Sequence, residues 1–364
     1  MRTPYAQHYN FTIQQQLPWK FSMEFGYIGS QGVRLLQSLN TNQALLANAA
    51  SPIRGLTTVS GRDVNARVSI IGFTPAGLNG VTDNGHSSYN AFVTTLNRRV
   101  GDLFLQGSYT FSKSIDNNSG NVAGAQDLGN SGGNQLVPTL LRGLSDFDRT
   151  HRLQVTYNYD LPGVGQGFWR RATSGWMIGG TAIFQSALPI AWACSACATA
   201  NVYGITTGLF PDVVGDFKNI RKGGDPREYV DAGTSVFNTG ILAPTPLMTQ
   251  GQTFTNVNRL GGPGTDVYTI GGIQGTGHTG QLYGTLPRNP NIRGPFQQQW
   301  DFQVGKSFAI GEKVKLNFRS EFFNIFNHAF FTNPNSTVGS PAFGRYTTQS
   351  NAPRIIQFAL KLAF

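Results

Sequence analysis

The residues of this chain that could do chemistry are few and scattered. Its two cysteines, Cys194 and Cys197, stand in "ACSAC". That spacing in a long polar link suits a local disulfide in an oxidising compartment. A zinc site would need two further ligands, and neither His151 nor His278 is near in sequence. A thioredoxin-type redox pair would need a βαβ setting, which is missing here. "GTGHTG" carries Gly275, Gly277 and Gly280 in the GxGxxG pattern, but with no strand before it or helix after it, the segment reads as a loop. Asp116, Asn118 and Asp127 in "DNNSGNVAGAQD" have loosely calcium-like spacing, yet the glycine at position 6 and glutamate at position 12 of an EF-hand are missing. Asp146, Asp148 and His151 in "SDFDRTHR" would suit acid–base chemistry or a metal. His8, His86, His278 and His328 are dispersed. No residue is assigned a catalytic, cofactor-binding or metal-binding role.

The composition points away from an ordinary soluble domain. Of 364 residues 13% are charged, against about a quarter in typical soluble domains, and Gly (45 residues), Asn, Gln, Ser and Thr fill the gap. No apolar run approaches the roughly 18 residues of a transmembrane helix. That excludes a helical membrane protein but not a β-barrel, whose signal per strand is weaker. The net charge is +10, but the basic residues are dispersed, with pairs such as Arg98-Arg99 and Arg170-Arg171 expected at strand ends or turns. With no basic helix and no aromatic-rich recognition motif, no nucleic-acid partner is expected.

The elements that must position these residues show best at the end of the chain. In "RIIQFALKLAF", Ile356, Phe358, Leu360, Leu362 and Phe364 share one parity, and Gln357, Ala359, Lys361 and Ala363 the other. Alternation of this kind sends side chains to opposite faces of a strand. The same pattern recurs in "RLQVTYNYDL", "KVKLNFRSEFF", "QWDFQVGKSF" and "FSMEFGY", and more weakly in "YNFTIQQQL", "YNAFVTTLNRR", "LFLQGSYTFS" and "WMIGGTAIFQ". That gives about nine strands, each near the 9–11 residues of a tilted membrane strand. One face is aromatic and aliphatic. The other mixes small polar groups, Gly and single charges: Glu24, Arg152, Asp160, Asp301, Arg319, Glu321 and Lys361. Such a division suits a lipid-facing exterior and a wet lumen. Tyr9, Trp19, Tyr27, Tyr109, Trp176 and Trp300 fall where interfacial girdles would sit.

The links alternate as well. Short ones are "PWK" at 18–20, "GD" at 101–102 and "AIGEK" at 309–313, with a moderate one at about 162–175. Long ones cover about 31–87, 114–149, 186–295 and 327–352. Compact soluble domains seldom carry unstructured loops beyond about 15 residues, whereas outer-membrane barrels pair short periplasmic turns with long extracellular loops. The expected fold is therefore all-β, an antiparallel transmembrane barrel. With the last strand running towards the periplasm, nine strands would begin outside the cell. An odd set leaves an open edge, and "MRTPYAQHYNF" has no apolar signal region. Both observations lead to the expectation of a C-terminal portion of a larger barrel.

Many stretches, in order, resemble the C-terminal barrel of TonB-dependent receptors, particularly the Oar-like group with a carboxypeptidase-regulatory-like N-terminal domain. They include "TPYAQHYNFTIQQQLP", "FGYIGSQGVRLL", "SSYNAFVTTLNRR", "GSYTFSKSIDN", "LSDFDRTHRLQVTYNYDLP", "GWMIGGTAIFQSALPI", "RNPNIRGPFQQQWDFQVGKSF", "VKLNFRSEFFNIFNHAFFTNP" and "FGRYTTQSNAPRIIQFALKLAF". They cover nearly all the chain except about 195–285. The resemblance implies about nine strands of a 22-stranded barrel, in the outer membrane of a Gram-negative-type bacterium. It implies uptake of a bulky solute such as an oligosaccharide, peptide or metal chelate. It makes Phe358, Leu360, Leu362 and Phe364 the signal read by the barrel-assembly machinery, and Asp146, Asp148 and His151 structural polar residues at the start of a strand. Neither plug domain nor TonB-binding segment is expected within these residues, so contact with TonB would run only through an N-terminal part not present. A passive pore or structural barrel and a secreted β-rich adhesive protein stand as alternatives.

Overall fold

The computed structural model describes residues 1–45, 52–56, 64–119, 141–195, 204, 210–213, 215–243, 267–270, 273–276, 286–310 and 314–364. Nine long strands form its sheet: β1 Tyr5–Leu17, β2 Phe21–Asn40, β3 Asn79–Val100, β4 Leu103–Asp116, β5 His151–Asp160, β6 Trp176–Gln185, β7 Gln297–Ala309, β8 Lys315–Phe323 and β9 Ile355–Ala363. Each pairs antiparallel with the next in chain order, and the short strand Gly143–Leu144 adds to β4. Each of the nine overlaps one of the segments read from alternation; Leu161, Val314, Arg354 and Phe364 fall just outside the strands and Lys313 lies outside the described residues. Among the described residues no helix is long and apolar enough to cross a membrane.

Two strands run further than their alternation suggests. β2 reaches Asn40 and β3 starts at Asn79, so the link expected over 31–87 contracts to 41–78. The register shifts between Val33 and Leu35 and again between Leu35 and Gln37. Arg34 sits at φ 57°, so the period of two is broken where the strand continues. At about 3.3 Å per residue, the 22 residues of β3 far exceed what the apolar band requires. The β2–β3 ribbon therefore projects beyond it on the long-link side.

Register carries one face unbroken across the sheet. Gln14, Glu24, Thr95, Ser108, Gln154, Ile183 and Gln299 form a row. On the same face Asn158, Gly179, Gln303, Glu321 and Gln357 form another. The opposite face aligns Phe11, Tyr27, Phe92 and Phe111, and further along Leu105, Tyr157, Gly180, Phe302, Phe322 and Ile356. Cross-strand aromatic contacts tie this face together: the Phe318 and Phe358 rings stack 6.2 Å apart. Gly29 makes room for the Tyr9 ring, which crosses the sheet over it: a Cβ at that position would lie 1.9 Å from the ring and displace it.

Cations on the apolar face stand near strand ends. Arg98 lies over the Phe21 ring at 5.5 Å. Lys306, 3% exposed, donates to the carbonyls of Arg171, Ala172 and Ser174 at 3.2, 2.8 and 2.5 Å. These carbonyls close a short helix, α1 (Phe168–Thr173), inside the moderate link on the short-turn rim. A lysine there suits a helix C-terminus, and the sequence reading had no helix in this link. On the same rim Trp19, Phe168 and Trp169 are highly exposed, and Trp176 begins β6.

On the other rim the long links fold on one another. Ile190, Trp192, Ile220, Val236, Phe237, Val338 and Tyr346 are buried in one apolar cluster joining the β6–β7 link to the β8–β9 link. The Trp192 and Phe237 rings stand 4.7 Å apart. A parallel two-residue pairing of Ala193–Cys194 with Thr337–Val338 joins the same links. Where the sequence suggested irregular loops, the described parts make a layer with its own core. β1 and β9 are the sheet's two edges, each hydrogen-bonded on one side only.

Candidate functional site: the polar face and the long-link layer

All seven charged residues singled out in the sequence lie on the polar face, as the register of their strands requires. Glu24 accepts from Gln14 Nε2 at 2.8 Å. Arg319 Nε is 3.0 Å from Glu321, which also accepts from Gln357 across the strand pair. Asp301 accepts from Gln299 at 3.0 Å and from the backbone N–H of Asn324 at 2.9 Å. Arg152 reaches Gln154 at 3.4 Å. Asp160 closes the strand by donating its backbone N–H to Asp102 O at 2.8 Å, and Lys361 is exposed near the end of β9. The charges are thus held by neighbouring amides more than by opposite charges, and the wall they line is rich in Gln, Asn, Ser and Thr.

Phe358, Leu360 and Leu362 stand opposite Ser320, Phe318 and Leu316 on the apolar face, and each is more than half exposed. Phe364 follows the last paired residue and is 96% exposed.

Buried ion pairs clamp the links over the polar rim. Arg288 Nη1 is 2.6 Å from Asp116 and its Nη2 is 3.3 Å from Asp146, the Asp116 pair being almost wholly buried. Arg293 pairs with Asp148, whose other oxygen accepts the Ser114 N–H at 2.5 Å. Asp146 and Asp148 therefore serve as anchors between links. His151 contacts the Tyr109 hydroxyl through Nδ1 at 2.8 Å. Arg149 donates to Ser186 O at 2.6 Å; burial, then the charges of Arg152 and Arg293, depress its pKa below the usual arginine range. Neither Arg288 nor Arg293 stands out in the sequence, because their carboxylate partners lie more than 140 residues away. The "RNPNIRGP" stretch, with its turn residues, is the only local signal that they end a link.

Cys194 is buried at the edge of the link-layer core and is disulfide-bonded; Cys197 lies outside the described residues. So do Asp127, Gly277 and Gly280, while Gly275 falls within the short strand Ile273–Thr276. No group of three or more His, Cys, Asp or Glu residues able to hold a metal occurs among the described residues.

Beside the anchors opens a cleft of about 550 Å³. Its walls come from the residues just after β6 (Ser186, Ala187), the residues leading into β7 (Arg293–Phe296), the start of a second helix, α2 (Pro226–Ala232), and residues 328–331. α2 starts sharply because Asp225 caps it, accepting the Arg227 N–H at 2.9 Å, with Pro226 at the first turn. Gly233 ends it at φ 61°. Arg227 Nη2 reaches His328 Nδ1 at 2.9 Å, tying the two links across the cleft. The volume is in the range of small-molecule sites.

A family model described as outer membrane beta barrel domain matches residues 1–357. No curated protein matches the chain. Among solved structures it is similar to the outer membrane transporter YddB from Escherichia coli (9% identity, TM-score 0.43), covering 99% of this chain and 32% of that one. It is similar also to the pyoverdine outer membrane receptor FpvA from Pseudomonas aeruginosa PAO1, solved with pyoverdine bound (8% identity, TM-score 0.40), covering 99% of this chain and 30% of that one. The chain thus spans about a third of the length of either. An antiparallel meander with one continuous apolar face, every long link on one rim and a family match over nearly its whole length make this chain a member of the outer membrane β-barrel domain family, resident in the outer membrane.

Proposed function

We propose that the chain forms the C-terminal barrel segment of a TonB-dependent receptor of the Oar-like type, serving uptake of a bulky solute such as an oligosaccharide, peptide or metal chelate. The observation that carries this reading is the sheet itself. It has a polar face continuous over nine strands and two edge strands, β1 and β9, not paired to each other. An edge in lipid leaves backbone groups unsatisfied at several kcal/mol each, so the wall calls for further strands and a wide lumen. The layer of long links over the rim, with its cleft, supplies a surface that can select a solute. Lumen-facing roles for Glu24, Arg152, Asp160, Asp301, Arg319, Glu321 and Lys361 belong to this proposal. So do an assembly signal at Phe358, Leu360, Leu362 and Phe364, a local Cys194–Cys197 disulfide, and coupling to TonB through residues outside this chain.

The test is uptake by cells with and without the gene, using labelled oligosaccharides, peptides and metal chelates, before and after a protonophore. Uptake that needs both the gene and the proton-motive force supports the proposal. Gene-dependent leakage indifferent to the protonophore would instead indicate a passive pore, and recovery of the chain outside the membrane an adhesive protein.

A further inference from the structure

The cleft in the link layer has an excess of positive charge that its own surroundings leave unmatched. Three arginines line it: Arg221, Arg227 and Arg293. Arg293 is matched by Asp148. The one carboxylate in the lining, Asp225, caps α2 and keeps its charge, so three arginines against Asp225 and Asp148 leave the cleft one positive charge in excess. Arg221 and Arg227 make no ion pair among the described residues. Arg221 is half-buried, and its Nη1 donates to the carbonyls of Arg293 and Gly294 at 2.8 and 3.0 Å, which aligns the guanidinium without neutralising it. Arg227 uses one side-chain nitrogen, on His328, and a guanidinium has five N–H donors. Both side chains are therefore held in place by neutral acceptors while keeping donors to spare. The buried ring of Phe330 and the prolines beside it give the same cleft an apolar wall.

We infer that this cleft binds an anionic solute bearing an aromatic or other apolar part, its carboxylate or equivalent anion bridging Arg221 and Arg227. The inference rests on the transporter reading and narrows its substrate to a negatively charged class. Guanidinium–carboxylate bonds are charge-assisted and roughly twice as strong as neutral ones. In a partly enclosed cleft they discriminate against a neutral isostere that leaves the cations unpaired.

The full chain in detergent micelles is titrated with benzoate and with benzamide, a neutral match in shape, with binding read by ligand-observed NMR. Benzoate is expected to bind about tenfold or more tightly than benzamide, and less well as salt rises. Arg227→Gln and Arg221→Gln are each expected to weaken benzoate about tenfold and leave benzamide unchanged, while Arg99→Gln, outside the cleft, changes neither. Amide exchange of residues 215–243, in the adjoining core, reports whether each variant keeps the layer. Should Arg221→Gln disturb it, the exposed Arg227 decides. Equal binding of the two probes, no benzoate binding, or indifference to Arg227→Gln would overturn the inference. Recovery of the chain in the outer-membrane fraction and protonophore-sensitive uptake test the transporter reading separately, so either can fail alone.

Discussion

Replacing Arg288 by methionine removes the guanidinium that holds Asp116, Asp146 and the Ser119 hydroxyl together. Asp116 is then left 4% exposed and, among the described residues, with only the Ser119 hydroxyl, 2.6 Å away, to bond its carboxylate. Removing one partner of a buried ion pair costs about 3–5 kcal/mol, because the remaining charge stays desolvated. The penalty falls on local opening of the links. At about 1.4 kcal/mol per factor of ten, amides closed by this clamp should exchange roughly a hundred- to a few thousand-fold faster. Useful reporters are the Asn117 N–H, bonded to His86 O at 3.2 Å, and the Ser145 N–H, bonded to Ser114 O at 3.0 Å. Hydrogen exchange followed by mass spectrometry on the folded chain reads both, with mid-strand amides of β6 and β7 as the unaffected control. Because the loss arises from a stranded charge, Asp116→Leu combined with Arg288→Met should recover most of the protection. Exchange within about threefold of wild type in Arg288→Met, or a double variant no better than the single one, would refute this reasoning.

Truncating Phe237, fully buried against Trp192, should destabilise the link layer by about 3–5 kcal/mol, opening residues 186–195 and 215–243 to protease while the strands stay resistant. Burial raises the Tyr346 phenol above its ordinary value of 10.0, with the Arg221 charge opposing. The neutral form is the one that folds, so the layer should be unaffected below pH 10 and lose stability as pH rises above it. Trp192 emission against pH, in a background with the other four tryptophans replaced by phenylalanine, should show this, and Tyr346→Phe should abolish it. Lys306→Met strands three carbonyls at the end of α1, and the exposed residues Phe168–Thr173 should fray, seen as faster amide exchange there at a cost of about 1–3 kcal/mol.

Strand content was legible because period-two alternation survives wherever one face is apolar along its length, as in β5, β8 and β9. It failed where a bulge at Arg34 broke the period, and where "NGVTDNGH", rich in turn-forming residues, continues β3 only because β2 pairs with it. The link-layer core has no local signature. Ile190, Phe237 and Tyr346 meet across more than 150 residues, in segments with no common period. The same distance hid the cleft. Arg227 and His328 are 101 residues apart, and neither is unusual in its neighbourhood. Cys194 could be flagged from the sequence, but its burial against the core could not.

The division of the sheet into a wet face and a lipid face is tested most directly at two neighbouring positions of β7. Spin labels at Gln303, on the polar face, and at Phe302, on the apolar face, are compared in reconstituted membranes for collision with a water-soluble nickel chelate and with oxygen. The Phe302 label should favour oxygen and the Gln303 label the chelate, with the preference alternating along Gln299–Phe302 and the corresponding residues of β8. Equal access of the chelate to both labels, or the reverse preference, would contradict a membrane-spanning wall.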